Sequence, residues 1–235
     1  MIDIHIHLIP DIDDGADDLK ESLSMLRIAA SQGVTAMIAT PHSSAFDFGF
    51  DKVRREYASL LHAVSEQRIP VQIRLGSEIL CYESDMDQII HYLQIGVYPT
   101  LNGTRYVLVE FFPNAAQKAI IYCLHRLLEA DYIPVLAHAE RYHNLDLDSA
   151  TKLHQEGVLI QTNVYSVEEE DYDRIKKRAR RLLEYHLVDF AGSDAHGLTH
   201  RPPSYKAGIN YMYRTYDRAY VDQILQGNAT ALLLV

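Results

Sequence analysis

The sequence predicts an α/β fold built on parallel strands, either a barrel or an open doubly wound sheet. Three observations predict it. Seven short apolar runs alternate with helical patterns along the 235 residues, the signature of β-α-β units. Most runs are almost wholly apolar rather than alternating, as in strands covered on both faces. His, Asp and Glu residues gather at or just after the C-terminal ends of these runs, the rim on which barrel enzymes carry their active sites.

The first run spans residues 1–9 and carries His5 and His7 on one face, because side chains alternate along a strand. An acidic turn, 11–15, follows. Asp18 is placed to cap a helix with Glu21 three residues on, and Leu19, Leu23, Leu26, Ile28 and Ala30 give it an apolar stripe ending at Gly33. The second strand is 34–40, with Pro41-His42 at its end. Residues 43–49 read as a loop, and 51–67 as a helix with Val53, Tyr57, Leu60, Leu61 and Val64 inward. The third strand is 71–80, carrying Glu78. A short helix at 84–93 and a turn at 101–103 precede the fourth strand, 106–112, with Glu110 inside it. A helix at 114–130 leads to the fifth strand, 133–137, and then to His138-Ala-Glu-Arg141. A helix at 149–157 with a glycine stop, a sixth strand at 158–163 and a long charged helix at 168–186 come next. In that last helix Ile175, Ala179, Leu182 and Leu183 face in. The seventh strand, 188–191, ends in Gly192-Ser-Asp-Ala-His196, and one or two closing helices follow Arg201 up to a last apolar piece at 229–235. No interdomain linker, low-complexity tract or repeat interrupts the pattern.

Composition narrows the function classes. The chain is 48% hydrophobic, so a substantial core can form, and its formal net charge of −10 argues against non-specific binding to nucleic acid or anionic membrane. Only Cys81 and Cys123 are present, too few for a disulfide scaffold. No signal-peptide pattern opens the chain and no run is long enough to span a bilayer, so the expectation is a cytoplasmic protein without stable membrane insertion.

The twelve histidines need an explanation. His5 and His7 with the acidic turn, Glu78, Glu110 and Asp194-x-His196 make a distributed ligand set. A Glu within Val-Leu-Val-Glu110-Phe-Phe is costly to bury without a counter-charge. Its bland alternative is pairing with a buried Arg; for the histidine pair the bland alternative is two satisfied core histidines. Nine candidates, His5, His7, His42, Glu78, Glu110, His138, Asp194 and His196 with a carboxylate of the acidic turn 11–15, exceed the four to six donors typical of one ion. With a bridging carboxylate they suit two or three divalent ions. Imidazole and carboxylate without thiolate point to Mn, Fe or Zn.

These same motifs carry a resemblance. His5-Ile-His7, Asp14-Gly15, Thr40-Pro-His42, Glu78, Glu110, His138-Ala-Glu-Arg141 and Ser193-Asp-Ala-His196, in this order, resemble the PHP superfamily (polymerase and histidinol phosphatase). Within it the chain is most similar to the bacterial PHP-type protein-tyrosine phosphatases of capsule and exopolysaccharide operons. The resemblance implies a distorted (β/α)7 TIM-like barrel, a single domain over 1–235, with three divalent ions, Mn2+ foremost, at the C-terminal rim. It implies that His5, His7, Glu78 and Asp194 hold the first ion, that Glu78 bridges to a second completed by Glu110 and His138, and that Asp14, His42 and His196 hold the third. It makes Asp11 and Asp13 bystanders, with Gly15 letting the acidic turn fold back over the rim. It also implies a substrate: a phosphotyrosine protein, the tail of an autophosphorylated bacterial tyrosine kinase.

The expected reaction is metal-assisted hydrolysis of a phosphomonoester. Asp194 and His138 serve it as ligands. Arg141 and Arg201 are placed to reach the rim and grip phosphoryl oxygens, since the planar guanidinium fork suits phosphate. A phenolate leaving group (free tyrosine pKa about 10) removes the need for a dedicated general acid; His200 reads as an exposed loop histidine. A thiolate phosphatase is excluded, because neither Cys81 nor Cys123 is followed by a phosphate-binding loop. The segment after His42 departs from the basic or His/Asn-rich residues common in relatives: Phe46, Phe48 and Phe50 form an aromatic rim or, preferably, pack beneath it. Tyr205, Tyr211, Tyr213, Tyr216 and Tyr220 should pack on the barrel. The basic run 174–181 reads as a solvated face offset by acidic 168–173, or as a docking surface for an acidic partner. The competing functions are a small-molecule phosphatase of histidinol-phosphate type, a nuclease or amidohydrolase, and a non-catalytic module. Glu110 stands where many amidohydrolases carry a metal-bridging lysine, which disfavours that class, and the complete ligand set disfavours a non-catalytic one. A homo-oligomer is left open.

Overall fold

The computed structural model describes residues 1–168 and 173–234. Its strands are β1 (Ile2–Ile6), β2 (Ala36–Ala39), β3 (Gln72–Leu75), β4 (Glu78–Leu80), β5 (Tyr106–Glu110), β6 (Ile133–Leu136), β7 (Leu159–Asn163) and β8 (Phe190–Gly192). All pairings are parallel, in the orders β1-β2-β3 and β4-β5-β6-β7-β8. Two seams join these sheets. At one, His42 bridges Glu78, and the Ser43 amide donates to Glu78 O at 2.8 Å. At the other, Ile6 bridges Ala195, and the Asp194 amide donates to His5 O at 2.8 Å. The ring is thereby closed, and the expected barrel is borne out. The expected third strand is broken at Gly76-Ser77 into β3 and β4, which together form one of seven staves. A Cβ on Gly76 would lie 2.9 Å from the Leu101 side chain and 3.1 Å from Ile38, so the break passes too close to the core for any other residue.

Ile4, Ile38, Leu108, Val135, Ala137 and Phe190 fill the barrel, and Leu101, Ala229 and Leu232 close its lower end. A larger outer cluster lies between the staves and the helices. Each fully buried Ile or Leu stabilises by about 1.5–3 kcal/mol. The outer helices are α1 (Leu19–Ser31), α2 (Ser44–Glu66), α3 (Met86–Gln94), α4 (Gln117–Glu129), α5 (Leu147–Gln155) and α6 (Arg174–Glu184). The closing segment is α7 (Lys206–Thr215), α8 (Arg218–Asp222), a π turn and α9 (Asn228–Leu233).

Several expectations are corrected. The Asp18 carboxylate accepts the Glu21 amide at 2.8 Å as foreseen, but α1 buries Met25 and Ala29 where the stripe named Ile28 and Ala30; Ile28 is 36% exposed. Residues 44–49 are helix, not loop: α2 begins at Ser44 and kinks at Gly49. The reason is that the apolar period of Val53, Leu60 and Val64 extends backward through Phe50 to Phe46, whose rings lie 6.5 Å apart. Phe46 is buried and Phe50 packs on the core, so both pack rather than form a rim; the Phe48 side chain lies outside the described residues. Leu61 is exposed at 37%. The helix expected from 168 starts at Arg174, capped by Asp173, which accepts the Ile175 amide at 2.8 Å. Residues 169–172 of the acidic run and Val235 lie outside the described residues. Among the closing tyrosines Tyr205 is fully buried, whereas Tyr213 is 40% exposed and donates to Asp222. No described helix is long and apolar enough to cross a membrane.

Candidate metal centre

The site begins with an irregularity in β1. Its pairing with β2 slips between Asp3 and Ile6, and Asp3 Oδ1 accepts the His5 amide at 3.0 Å. The slip changes the alternation. Ile2 and Ile4 belong to the barrel interior, Ile6 to the outer core, and His5 and His7 then point into the top of the barrel. His42 and Glu78 meet at one seam of the sheet. His5, His7 and Asp194 meet at the other. Glu110 ends β5, and His138 follows β6 in a left-handed conformation (φ 32°) that turns it inward.

The structure brings all nine sequence-derived candidates together. Glu78 is central. Its Oε1 lies 3.1 Å from His5 Nε2 and 2.9 Å from His138 Nε2, and its Oε2 lies 3.1 Å from His7 Nε2 and 3.3 Å from His42 Nδ1. Asp194 Oδ1 is 3.4 Å from His5 Nε2, Glu110 Oε1 is 3.1 Å from His42 Nδ1, and Asp14 Oδ1 is 3.2 Å from His42 Nε2 and 3.4 Å from His196 Nε2. Three overlapping groups have donor atoms within 4.8 Å of one another: His5-His7-Glu78-Asp194, His42-Glu78-Glu110 and His7-Asp14-His42-His196.

The donor set fits divalent cations. His5 Nε2, His7 Nε2 and His196 Nε2 are buried and lack a hydrogen-bond partner. A buried polar atom without a partner costs free energy, and three converging on carboxylates ask for cations. The electrostatics agree. Burial opposes ionisation of Glu78, yet His5, His138 and His7 hold its carboxyl well below the usual range. Burial also opposes charge on His138, but Glu110 and Glu78 raise its pKa to about 9. His196 goes the other way, down to about 3, because burial is joined by the charge of His7, whose ring stacks on it at 3.7 Å.

A surrounding layer orients the donors. Its members were not identified from sequence. Asp13, set aside there, accepts from His7 Nδ1 at 2.7 Å and from the His42 and Gly15 amides at 3.0 Å. A Cβ on Gly15 would sit 2.5 Å from His7 O, which is why the acidic turn can fold against the rim. β7 supplies no candidate ligand, but its Gln161 Oε1 accepts the His138 amide at 2.7 Å and faces His5 Nδ1 at 3.2 Å. Gln161 Nε2 donates to Asn163 Oδ1 at 2.9 Å, and Asn163 Nδ2 donates to Asp194 Oδ2 at 3.1 Å. Tyr142 OH lies 3.2 Å from His138 Nδ1. Glu140, fully buried, accepts Thr162 Oγ1 and the Asn163 amide. Two polar amides in a buried strand were the available signal, because such groups demand partners.

Arg141 Nη2 donates to Asp194 Oδ2 at 2.5 Å and to Tyr165 OH at 2.8 Å. Arg201 Nη1 donates to the same carboxylate oxygen at 3.1 Å, and its Nη2 lies 3.6 Å from Asp14. Both guanidiniums therefore stand beside the cluster, 22% and 29% exposed. His200 is exposed, and Cys81 and Cys123 are buried free thiols.

A parallel barrel that gathers imidazoles and carboxylates around candidate ion positions at one rim, flanked by arginines, defines a metallohydrolase type of site. Residues 1–234 match the model of the family described as "Capsular polysaccharide synthesis, CpsB/CapC", and the chain belongs to that family. It is 33% identical to the tyrosine-protein phosphatase CpsB of Streptococcus agalactiae serotype III (strain NEM316) over 99% of this chain and 98% of that one. It is 32% identical to the tyrosine-protein phosphatase YwqE of Bacillus subtilis (strain 168), over 86% of this chain and 79% of that one. Among solved structures, the "crystal structures of YwqE from Bacillus subtilis and CpsB from Streptococcus pneumoniae, unique metal-dependent tyrosine phosphatases" match with a TM-score of 0.85 at 28% identity, covering 99% of this chain and 94% of that chain. A phosphotriesterase homology protein from Escherichia coli, at TM-score 0.56 and 12% identity over 98% of this chain and 97% of that one, shares the fold alone. The resemblance read from the motifs is thus borne out.

Proposed function

We propose that this chain is a metal-dependent protein-tyrosine phosphatase, one domain spanning 1–235, acting in the cytoplasm on an autophosphorylated tyrosine kinase that regulates capsule or exopolysaccharide synthesis. The observation that carries the reading is the convergence on carboxylates of three buried imidazole nitrogens that form no hydrogen bond, His5 and His7 Nε2 on Glu78 and Asp194 and His196 Nε2 on Asp14, in a chain a third identical to tyrosine phosphatases over its full length.

The ligand sets are those the resemblance implies; the donor groups support the first as it stands, while His42 also lies with Glu78 and Glu110, and His7 with Asp14, His42 and His196. His5, His7, Glu78 and Asp194 would hold one divalent ion, and Glu78, Glu110 and His138 a second. Asp14, His42 and His196 would hold a third. Their hard oxygen and borderline nitrogen donors suit Mn2+, with Fe or Zn as alternatives. When bound, such ions supply Lewis acidity to water and to phosphoryl oxygens. The chain's own residues do the rest. Arg141, steadied by Tyr165, and Arg201 present guanidinium forks to the phosphoryl group as its oxygens gain charge. Asp194 holds both arginines from its Oδ2 while its Oδ1 faces His5. Asp13 and Gln161 fix the ring orientations of His7 and His5. A tyrosyl leaving group departs as a weakly basic phenolate, so no side chain need donate a proton.

Steady-state hydrolysis of a phosphotyrosine peptide and of histidinol phosphate by the metal-loaded protein tests the reading. The expected result is preference for the peptide, abolished by His138→Ala. Preference for histidinol phosphate, or activity and metal content that survive His138→Ala, would overturn it.

A further inference from the structure

Beside the cluster, His42 and Glu110 are 28% and 17% exposed, whereas His5, Glu78 and Asp194 are at most 1% exposed. A cleft of about 410 Å3 opens off His42 and Glu110. Its lining mixes polar groups with Leu80, buried Ile89 and the buried ring of Tyr98. At its mouth the Tyr82 ring leans on Phe112 with centroids 5.8 Å apart, and these rings are 42% and 51% exposed. Such exposed rings offer flat faces on which an aliphatic stem or a cation can lie. Besides Glu110, two carboxylates stand in the walls. Asp47 accepts the Tyr98 hydroxyl at 2.7 Å, and exposed Asp85 accepts Ser84 Oγ at 2.5 Å. Among the described residues no Lys or Arg lines this cleft; Arg141 and Arg201 are drawn to Asp194 instead.

We propose that this cleft is the subsite for the polypeptide flanking the phosphotyrosine, and that it takes a lysine- or arginine-bearing flank in preference to an acidic one. The inference rests on the phosphatase reading and names the substrate class within it. A phosphoryl group at the cluster leaves the flanking chain beside His42 and Glu110, where the cleft begins. The aliphatic stem of a lysine or arginine lies along Tyr82 and Phe112, its cationic head over the rings and beside Asp85. An acidic flank would instead meet Asp47, Asp85 and Glu110, with no cation in the walls to offset them.

The test uses two phosphotyrosine peptides of equal length that differ only in lysine or glutamate on each side of the phosphotyrosine. Phosphate release by the Mn2+-loaded full chain gives kcat/KM for each. The wild-type protein should favour the lysine peptide by about 3- to 10-fold, as one partly exposed ion pair and one cation–π contact warrant. Asp85→Lys, a change at an exposed position, should bring the ratio to one or below. Raising the salt should shrink the wild-type ratio. A wild-type ratio of one or less, or a preference that Asp85→Lys leaves intact, overturns the subsite while leaving the phosphatase reading standing. Failure to hydrolyse either peptide overturns both.

Discussion

Replacing Gln161 with leucine removes a side chain that is no candidate ligand yet ties three parts of the site together. Gln161 is fully buried, and its Oε1 serves the His138 amide and His5 Nδ1. With Nδ1–H donated to that oxygen, the His5 tautomer leaves Nε2 free to face Glu78 and Asp194. Leucine fills a similar volume but strands two buried donors and the Asn163 Oδ1 acceptor. Each stranded group costs about 1–3 kcal/mol. With partial relaxation the metal-free protein should lose about 3–5 kcal/mol, read by urea unfolding. Loss of the group that orients a ligand histidine should also weaken ion binding about 10- to 100-fold, read by calorimetric titration with Mn2+. Gln161→Glu keeps the acceptor for His5 and should retain more of the ion affinity than leucine does. If Gln161→Leu unfolds more easily but binds ions with wild-type affinity, β7 is only structural and the tautomer argument is refuted.

Three further perturbations separate the roles of the surrounding residues. Arg141→Lys keeps the charge but loses the fork that engages Asp194 and Tyr165; kcat/KM on a phosphotyrosine peptide should fall about 10- to 100-fold, as loss of a charge-assisted contact of about 1.5–3 kcal/mol implies. Asp13→Ala removes the acceptor for His7 Nδ1 and two backbone amides; ion affinity should drop about 10- to 100-fold by titration, and unchanged affinity would return Asp13 to the bystander role. The third concerns pH: hydrogen bonding from His154 to Asp189, 3.2 Å away, raises the imidazole's pKa above 6.5. That contribution, under about 1 kcal/mol for a partly exposed pair, is full below pH 6.5 and fades as pH rises through the raised value. The stability gap between wild type and His154→Gln in urea unfolding should therefore narrow from pH 5.5 to pH 8.5, and a gap that widens would contradict the pairing.

The parts of the site that were legible in the sequence share one property. His5, His7, His42, Glu78, Glu110, His138, Asp194 and His196 interrupt or follow apolar runs, and a polar ligand at the end of a buried strand stands out against its neighbours. Asp14 was singled out from the acidic turn only by the family resemblance. Asp13 lies in the same acidic turn, but nothing local separates a carboxylate that binds a cation from one that orients His7 through a 2.7 Å contact. Gln161 and Asn163 were passed over because their partners are remote: His5 is 156 positions away. Their presence inside a buried strand was the clue. The break between β3 and β4 was hidden because residues 71–80 are strand-like throughout, and only the packing of Leu101 and Ile38 against Gly76 shows why the stave parts there. The start of α2 was misread because Ser and Gly near 43–49 suggested a loop, while the spacing of Phe46, Phe50 and Val53 already followed a helix.

The central claim is that the rim cluster is a divalent-metal centre serving phosphotyrosine hydrolysis. Elemental analysis of the purified protein before and after chelation, with peptide hydrolysis followed on the same samples, tests it most directly. The account predicts about two to three ions of Mn, Fe or Zn per chain, set by four to six donors per ion, and hydrolysis that disappears with them and returns on adding Mn2+. A folded protein that retains no such ion, or that hydrolyses phosphotyrosine equally well after chelation, would contradict it.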